Sequence, residues 1–162
     1  MIQRVQSLYL LCSVIFMAIF ACTPFFNIIS PDATYQLNSF GVKATQISET
    51  ATTIVTTQPS YVVAVISALI ILLSIITIFL FKNRSKQILL CRINYLFYIT
   101  LIVVMALLAF INYKALNGTT FSTTSFVVFP FCALITNWLA ASAINKDEQL
   151  VRDSERMWTR NK

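Results

Sequence analysis

The sequence predicts an all-α membrane protein: a four-transmembrane-helix bundle with a small β-stranded extracytoplasmic cap and an amphipathic cytoplasmic C-terminal helix. Three observations predict it. The run from Tyr61 to Phe81 carries no charge, and Lys82-Asn83-Arg84-Ser85-Lys86 follows it at once. About 20 apolar residues at ~1.5 Å rise cross a hydrocarbon core ~30 Å thick, and a charge at the centre of such a helix costs roughly 2.5–3.5 kcal/mol, so charges collect where the chain leaves the membrane. Second, only 11% of the 162 residues are charged and the mean hydropathy is +0.75, whereas a soluble domain carries about 25% charged residues. Third, the 12 Lys and Arg residues, Lys43 and Lys114 excepted, fall on one side of the apolar runs.

Composition excludes several classes of chemistry. The chain has no His and six acids, none inside an apolar run. A buried metal site therefore lacks ligands, and a Ser-His-Asp or Cys-His nucleophile lacks its base. The net charge of +6 sits in short clusters beside apolar runs, which is the membrane-orientation pattern rather than a nucleic-acid face. Cys12, Cys22, Cys91 and Cys132 all lie in or beside apolar segments, as small buried residues do. A bond between Cys22 and Cys132, which would share a membrane face, stays open at this point.

Taken in order, span one covers 5–26, with Arg4 before it and Pro24 near its outer end. Ile19-Phe20-Ala21-Cys22 resembles a lipoprotein cleavage box, but the run is longer than a signal core of 7–15 residues, so it is read as a retained span. Residues 27–60 form the longest polar stretch. Pro31-Asp32 marks a turn, and broken alternation through Tyr35, Leu37, Phe40, Val42 and Ala44, followed by a Thr-rich segment around Ile54 and Val55, predicts two or three short strands. The competing reading is a polar loop.

Span two is 61–81. Ala64, Ser67, Ala68 and Ser74 fall on roughly one face, where small residues let membrane helices approach closely. Span three is 88–112, with Arg92 in its first turns and Asn94 and Asn112 bracketing its apolar centre; Arg92 reaches the interface while its stem stays in apolar surroundings. Asn117-Gly118 predicts a hairpin after it, whose strands join those of the first loop in one sheet. Span four is 125–144. Pro130 kinks it or displaces its start, and Ala133, Asn137, Ala140 and Ala141 share a face with Asn137 as its one strongly polar group.

The tail, 145–162, reads as an amphipathic helix, continuous with span four or lying on the cytoplasmic surface. Leu150, Val151, Ser154, Met157 and Trp158 make one stripe, and Glu148 and Arg152 stand in the favourable order four residues apart. Four spans with both termini cytoplasmic put Arg4, Arg84, Arg92 and the tail on the inner side. The whole chain, 1–162, is one membrane domain.

The two ends, Met1-Ile2-Gln3-Arg4-Val5-Gln6-Ser7-Leu8-Tyr9-Leu10-Leu11 and Asn145-Lys146-Asp147-Glu148-Gln149-Leu150-Val151-Arg152-Asp153, resemble an uncharacterised, domain-of-unknown-function family of short four-span inner-membrane proteins of Gram-negative bacteria. The resemblance implies a multi-pass inner-membrane location and brings no functional residues with it. The layout is also similar to claudin-type architecture, an analogy of arrangement that transfers no function.

The residues and this layout predict a non-enzymatic accessory or scaffold subunit of a larger inner-membrane assembly, such as export or envelope machinery. Its partners are membrane lipids and other inner-membrane proteins, with no cofactor, metal or nucleic acid. Contacts are expected through Ala64, Ser67, Ala68, Ser74, Ala133, Asn137, Ala140 and Ala141 within the membrane. Cytoplasmic docking falls to Arg4, Arg84, Arg92, Leu150, Arg152, Met157 and Trp158. The alternative is a protein that binds or transports a lipid or apolar small molecule between its helices.

Overall fold

A computed structural model describes all residues except 1–2, 31–32, 49–50, 81–83, 116–119 and 161–162; the side chains of 3–5, 46–48, 51–59, 84–85, 154–155 and 158–160 are also outside the description. The elements run α1 (Gln3–Cys22), β1 (Phe26–Ile29), β2 (Thr34–Asn38), β3 (Gly41–Ser48), β4 (Ala51–Pro59), α2 (Val62–Phe79), α3 (Arg84–Ala115), β5 (Thr120–Thr123), a 3-10 turn (Ser125–Val127) and α4 (Val128–Arg160).

The helices form a ring. α1 packs on α2 and α4, and α3 packs on the same two. Each buries a single stripe at spacings of three and four residues, alternating except at the end of α3. In α1 it is Gln6, Leu10, Ser13, Met17 and Phe20; in α2 it is Val63, Ser67, Ile70, Ser74 and Thr77. In α3 it runs Gln87, Cys91, Asn94, Tyr98, Leu101, Met105, Ala109, and in α4 it runs Pro130, Ala133, Asn137, Ala140, Ile144, Asp147. That repeat is the heptad seam of knobs-into-holes packing, close to 3.5 residues per turn.

What lies outside the seam is more apolar than what lies in it. α2 buries Ser67, Ser74 and Thr77 while exposing Val62, Val65, Leu69, Leu72, Ile75, Ile76 and Phe79. Water would not tolerate a continuous apolar face of this size, whereas hydrocarbon does, and small or polar seam residues are how helices associate there. Helices α2, α3 and α4 are each long and apolar enough to cross a membrane; α1 is a shorter apolar helix over Gln6–Cys22.

The five strands make one antiparallel sheet in the order β4-β3-β2-β1-β5. Its inner face supplies Phe26, Ile28, Leu37 and Val42, with Phe25 just before β1, to the same buried cluster as Met17, Phe20, Val63, Leu101, Met105 and Ala109, so the sheet closes one end of the helix ring. Main-chain bonds fasten it there: Ala64 N–H donates to the Ser39 carbonyl at 3.2 Å, and Ser60 N–H to the Phe40 carbonyl at 3.3 Å. Gly41, with φ of 143°, follows the Ser39-Phe40 turn, where a Cβ would be strained.

Three expectations are corrected. The first helix, expected to run to 26, ends at Cys22, because Pro24 interrupts it and Phe26 opens β1, with Phe25 N–H already donating to the Leu37 carbonyl at 2.9 Å. The first loop holds four strands instead of two or three, the Thr-rich segment forming β4. The first arm of the expected hairpin is not seen among the described residues, where α3 runs to Ala115 and Asn117-Gly118 lies outside the description; the second arm is β5, pairing Phe26 with Thr123 through Ile29 with Thr120. Of the two outcomes expected for Pro130, the displaced start is the one found: Pro130 falls in the first turn of α4, where its missing N–H costs nothing, and the helix starts at Val128 rather than 125 and continues unbroken through the tail.

Candidate functional site

Two regions stand out, one by a polar seam beside a groove and one by an exposed apolar stripe. The first is the half of the helix ring away from the sheet, where the seam turns polar. Gln6 Nε2 on α1 donates to Asp147 Oδ2 on α4. Gln87 Nε2 on α3 donates to the Thr77 carbonyl on α2 at 3.2 Å. Further in, Asn137 Nδ2 on α4 donates to the Cys91 carbonyl on α3 at 3.1 Å, and Asn94 Nδ2 donates to Ser74 Oγ on α2 at 2.8 Å. Ser13 on α1 and Tyr98 on α3 share a hydrogen bond across the ring, and Ser74 also engages Tyr98. These bonds join all four helices through side chains that are buried. Two acceptors in this ladder, Asn94 Oδ1 and Asn137 Oδ1, are buried without a partner among the described residues.

On the outside of this ladder, α3 and α4 leave a groove of about 600 Å³. It is lined by Ile88, Cys91, Arg92, Tyr95 and Leu96 from α3 and by Asn137, Trp138, Ala141, Ser142 and Asn145 from α4. Arg92 and Trp138 are exposed along it and Asn137 is buried in its wall. A second cavity, about 430 Å³ and almost wholly apolar, lies where the sheet meets α3. Phe26, Phe110, Tyr113 and Phe121 surround it, with Phe26 and Phe121 ring centroids 5.1 Å apart.

The second region is the far end of α4. Ile144 is fully buried against Leu10, Cys91 and Ala140, and Asp147 is the last seam residue. Beyond it Leu150, Val151 and Met157 are exposed, and Arg152 Nη2 holds Glu148 Oε1 at 2.7 Å, one helical turn away.

Of the residues singled out from the sequence, Ser67, Ser74, Ala133, Asn137 and Ala140 lie in the buried seams, while Ala64 and Ala141 are half-buried beside them. Ala68 faces outward, one position off the α2 seam. Ser67 donates to its own helix, to the Ala64 carbonyl at 2.9 Å. The side chains of Arg4, Arg84 and Trp158 are outside the description; Arg92 opens on the groove, and Leu150, Arg152 and Met157 lie together on the exposed end of α4. Sequence reasoning missed Gln6, Ser13, Gln87, Tyr98 and Asp147. For three of them a signal lay in the spacing: Gln6 and Ser13, Ser67 and Ser74, and Gln87 and Asn94 each stand one heptad apart, which marks polar positions of a common seam once the register is known. All four cysteines are free, so Cys22 and Cys132 are not joined. Among the described residues no cluster of His, Cys, Asp and Glu suits a metal ion.

The chain belongs to the family described as domain of unknown function DUF4293, whose model matches residues 2–157. No curated protein matches it.

Proposed function

We propose that this DUF4293 member is a four-span protein of a bacterial inner membrane, with both termini cytoplasmic and the sheet as an extracytoplasmic cap, and that it serves as a non-enzymatic accessory or scaffold subunit of a larger membrane assembly. The observation that carries the reading is the unbroken course of α4. Its 33 residues reach ~50 Å at ~1.5 Å each, about 20 Å more than a hydrocarbon core. The excess carries apolar Leu150, Val151 and Met157 on one stripe, with Arg152 and Arg156 on the opposite side. A tail that served only as an interfacial anchor would bend to lie flat at the membrane surface. A helix that projects straight from the bundle instead presents its apolar stripe to an amphipathic partner helix.

The inside-out pattern of α1 supports the fourth span: Leu8, Leu11, Ile15 and Ile19 face outward while Gln6 and Ser13 face the seam. The orientation follows from the cations, since Lys43 and Lys114 alone belong to the sheet side.

The test is a photo-crosslinking residue at Leu150 or Met157 in intact membranes. The reading expects one reproducible protein adduct, lost in a Leu150→Asp, Met157→Asp double variant whose melting temperature is unchanged. Adducts only with lipid, or none, would overturn it. The groove between α3 and α4 favours the second reading, a lipid-binding protein.

A further inference from the structure

We propose that the α3–α4 groove is a binding site for an anionic lysophospholipid: a single acyl chain, a phosphodiester and a free glycerol hydroxyl. The proposal rests on the reading of α3 and α4 as membrane spans and deepens the lipid-binding reading. Three features select that chemistry.

The first is charge. Arg92 sits on the groove, exposed, and is paired with no carboxylate among the described residues. Ser142 and Asn145 line the groove from α4, further toward the end that Ile88 marks on α3. A cation flanked by a hydroxyl and an amide suits a phosphate oxygen. Among the described residues the lining holds no carboxylate, so a headgroup that carries its own ammonium finds no counter-charge there.

The second is an unsatisfied acceptor. Asn137 is 1% exposed and lines the groove; its Nδ2 is committed to the Cys91 carbonyl, and its Oδ1 has no partner among the described residues. A buried carbonyl oxygen demands a donor. Cys91 and Asn137 are level with Arg92, while Ile88 and Asn145 mark the end nearer the cytoplasm. Helical side chains lean toward their helix N-terminus, which for α3 is that end, so a ligand whose phosphate meets Arg92 there places its glycerol region beside Asn137. In a diacyl phospholipid that region offers ester carbonyls, which are acceptors. A lysophospholipid offers a hydroxyl, which donates.

The third is shape. The groove continues past Asn137 along Tyr95, Leu96 and Trp138, an apolar path that free phosphate would leave empty. About 600 Å³ is within the ordinary size of a small-molecule site.

The experiment is native mass spectrometry of the full chain in detergent, titrated separately with lysophosphatidylglycerol, diacyl phosphatidylglycerol and lysophosphatidylcholine. The expected result is at least fivefold tighter retention of lysophosphatidylglycerol than of either competitor. Arg92→Gln, a substitution at an exposed position, lowers that retention at least fivefold with an unchanged melting curve. Asn137→Leu brings the lyso and diacyl forms to parity. Equal retention of all three lipids, or retention indifferent to Arg92→Gln, overturns the proposal. Because the titration is made in detergent, failure here leaves the membrane topology untouched, and a topology failure found by labelling leaves the titration to be read on its own.

Discussion

Tyr98 is the sharpest place to test the polar seam. Its side chain is wholly buried, and its hydroxyl joins Ser13 on α1 to Ser74 on α2, so one oxygen ties three helices. Tyr98→Phe removes that oxygen and keeps the ring, leaving packing intact. Interhelical hydrogen bonds in membranes average about 0.6 kcal/mol and reach about 1.7. Two such bonds set the expected loss at about 1–3 kcal/mol. The assay is unfolding by titrated denaturing detergent, followed through Trp138. A double-mutant cycle with Ser13→Ala isolates the cross-ring bond, and its coupling should fall near 0.6–1.7 kcal/mol. A coupling at or below zero, with both single variants folded, would refute the claim that this bond holds α1 to α3.

Further outcomes follow from the seams. Ala133→Leu and Ala140→Leu insert bulk at fully buried α4 positions and should each cost about 1–3 kcal/mol, whereas Ala68→Leu, on the outer face of α2, should stay within about 0.5 kcal/mol; the same unfolding titration reads all three. Thiol labelling in mild detergent should modify exposed Cys22 first and leave Cys91, 1% exposed, unreacted until the protein unfolds, as mass spectrometry of the labelled chain would show.

The helices were legible in the sequence because Tyr61–Phe81 and its neighbours exceed any soluble-core length. Their ends were less so. Phe25 and Phe26 are as apolar as the span they follow, and only Pro24 separates helix from strand. Asn137 was legible as the lone amide in an apolar run. Gln6 and Asp147 were not, because residues at the margins of apolar runs read as interfacial until the heptad register places both in the seam. Ala68 was misplaced for the same reason: it stands four residues from Ala64, but the buried stripe runs through Val63 and Ser67, one step round the helix. The groove was invisible in sequence, since Arg92 and Asn137 meet only when α3 and α4 pack, although each had been marked separately.

The central claim is that all four helices cross the membrane with both termini inside. In a variant lacking Cys12, Cys22, Cys91 and Cys132, single cysteines are placed by Gln3→Cys, Phe40→Cys and Arg156→Cys and exposed to a membrane-impermeant thiol reagent on cells whose outer membrane is permeable. The account predicts that the cysteine at position 40 reacts at once, and that those at 3 and 156 react only after the inner membrane is opened. Labelling at position 3 alongside position 40 would mean that α1 does not cross, and would contradict it.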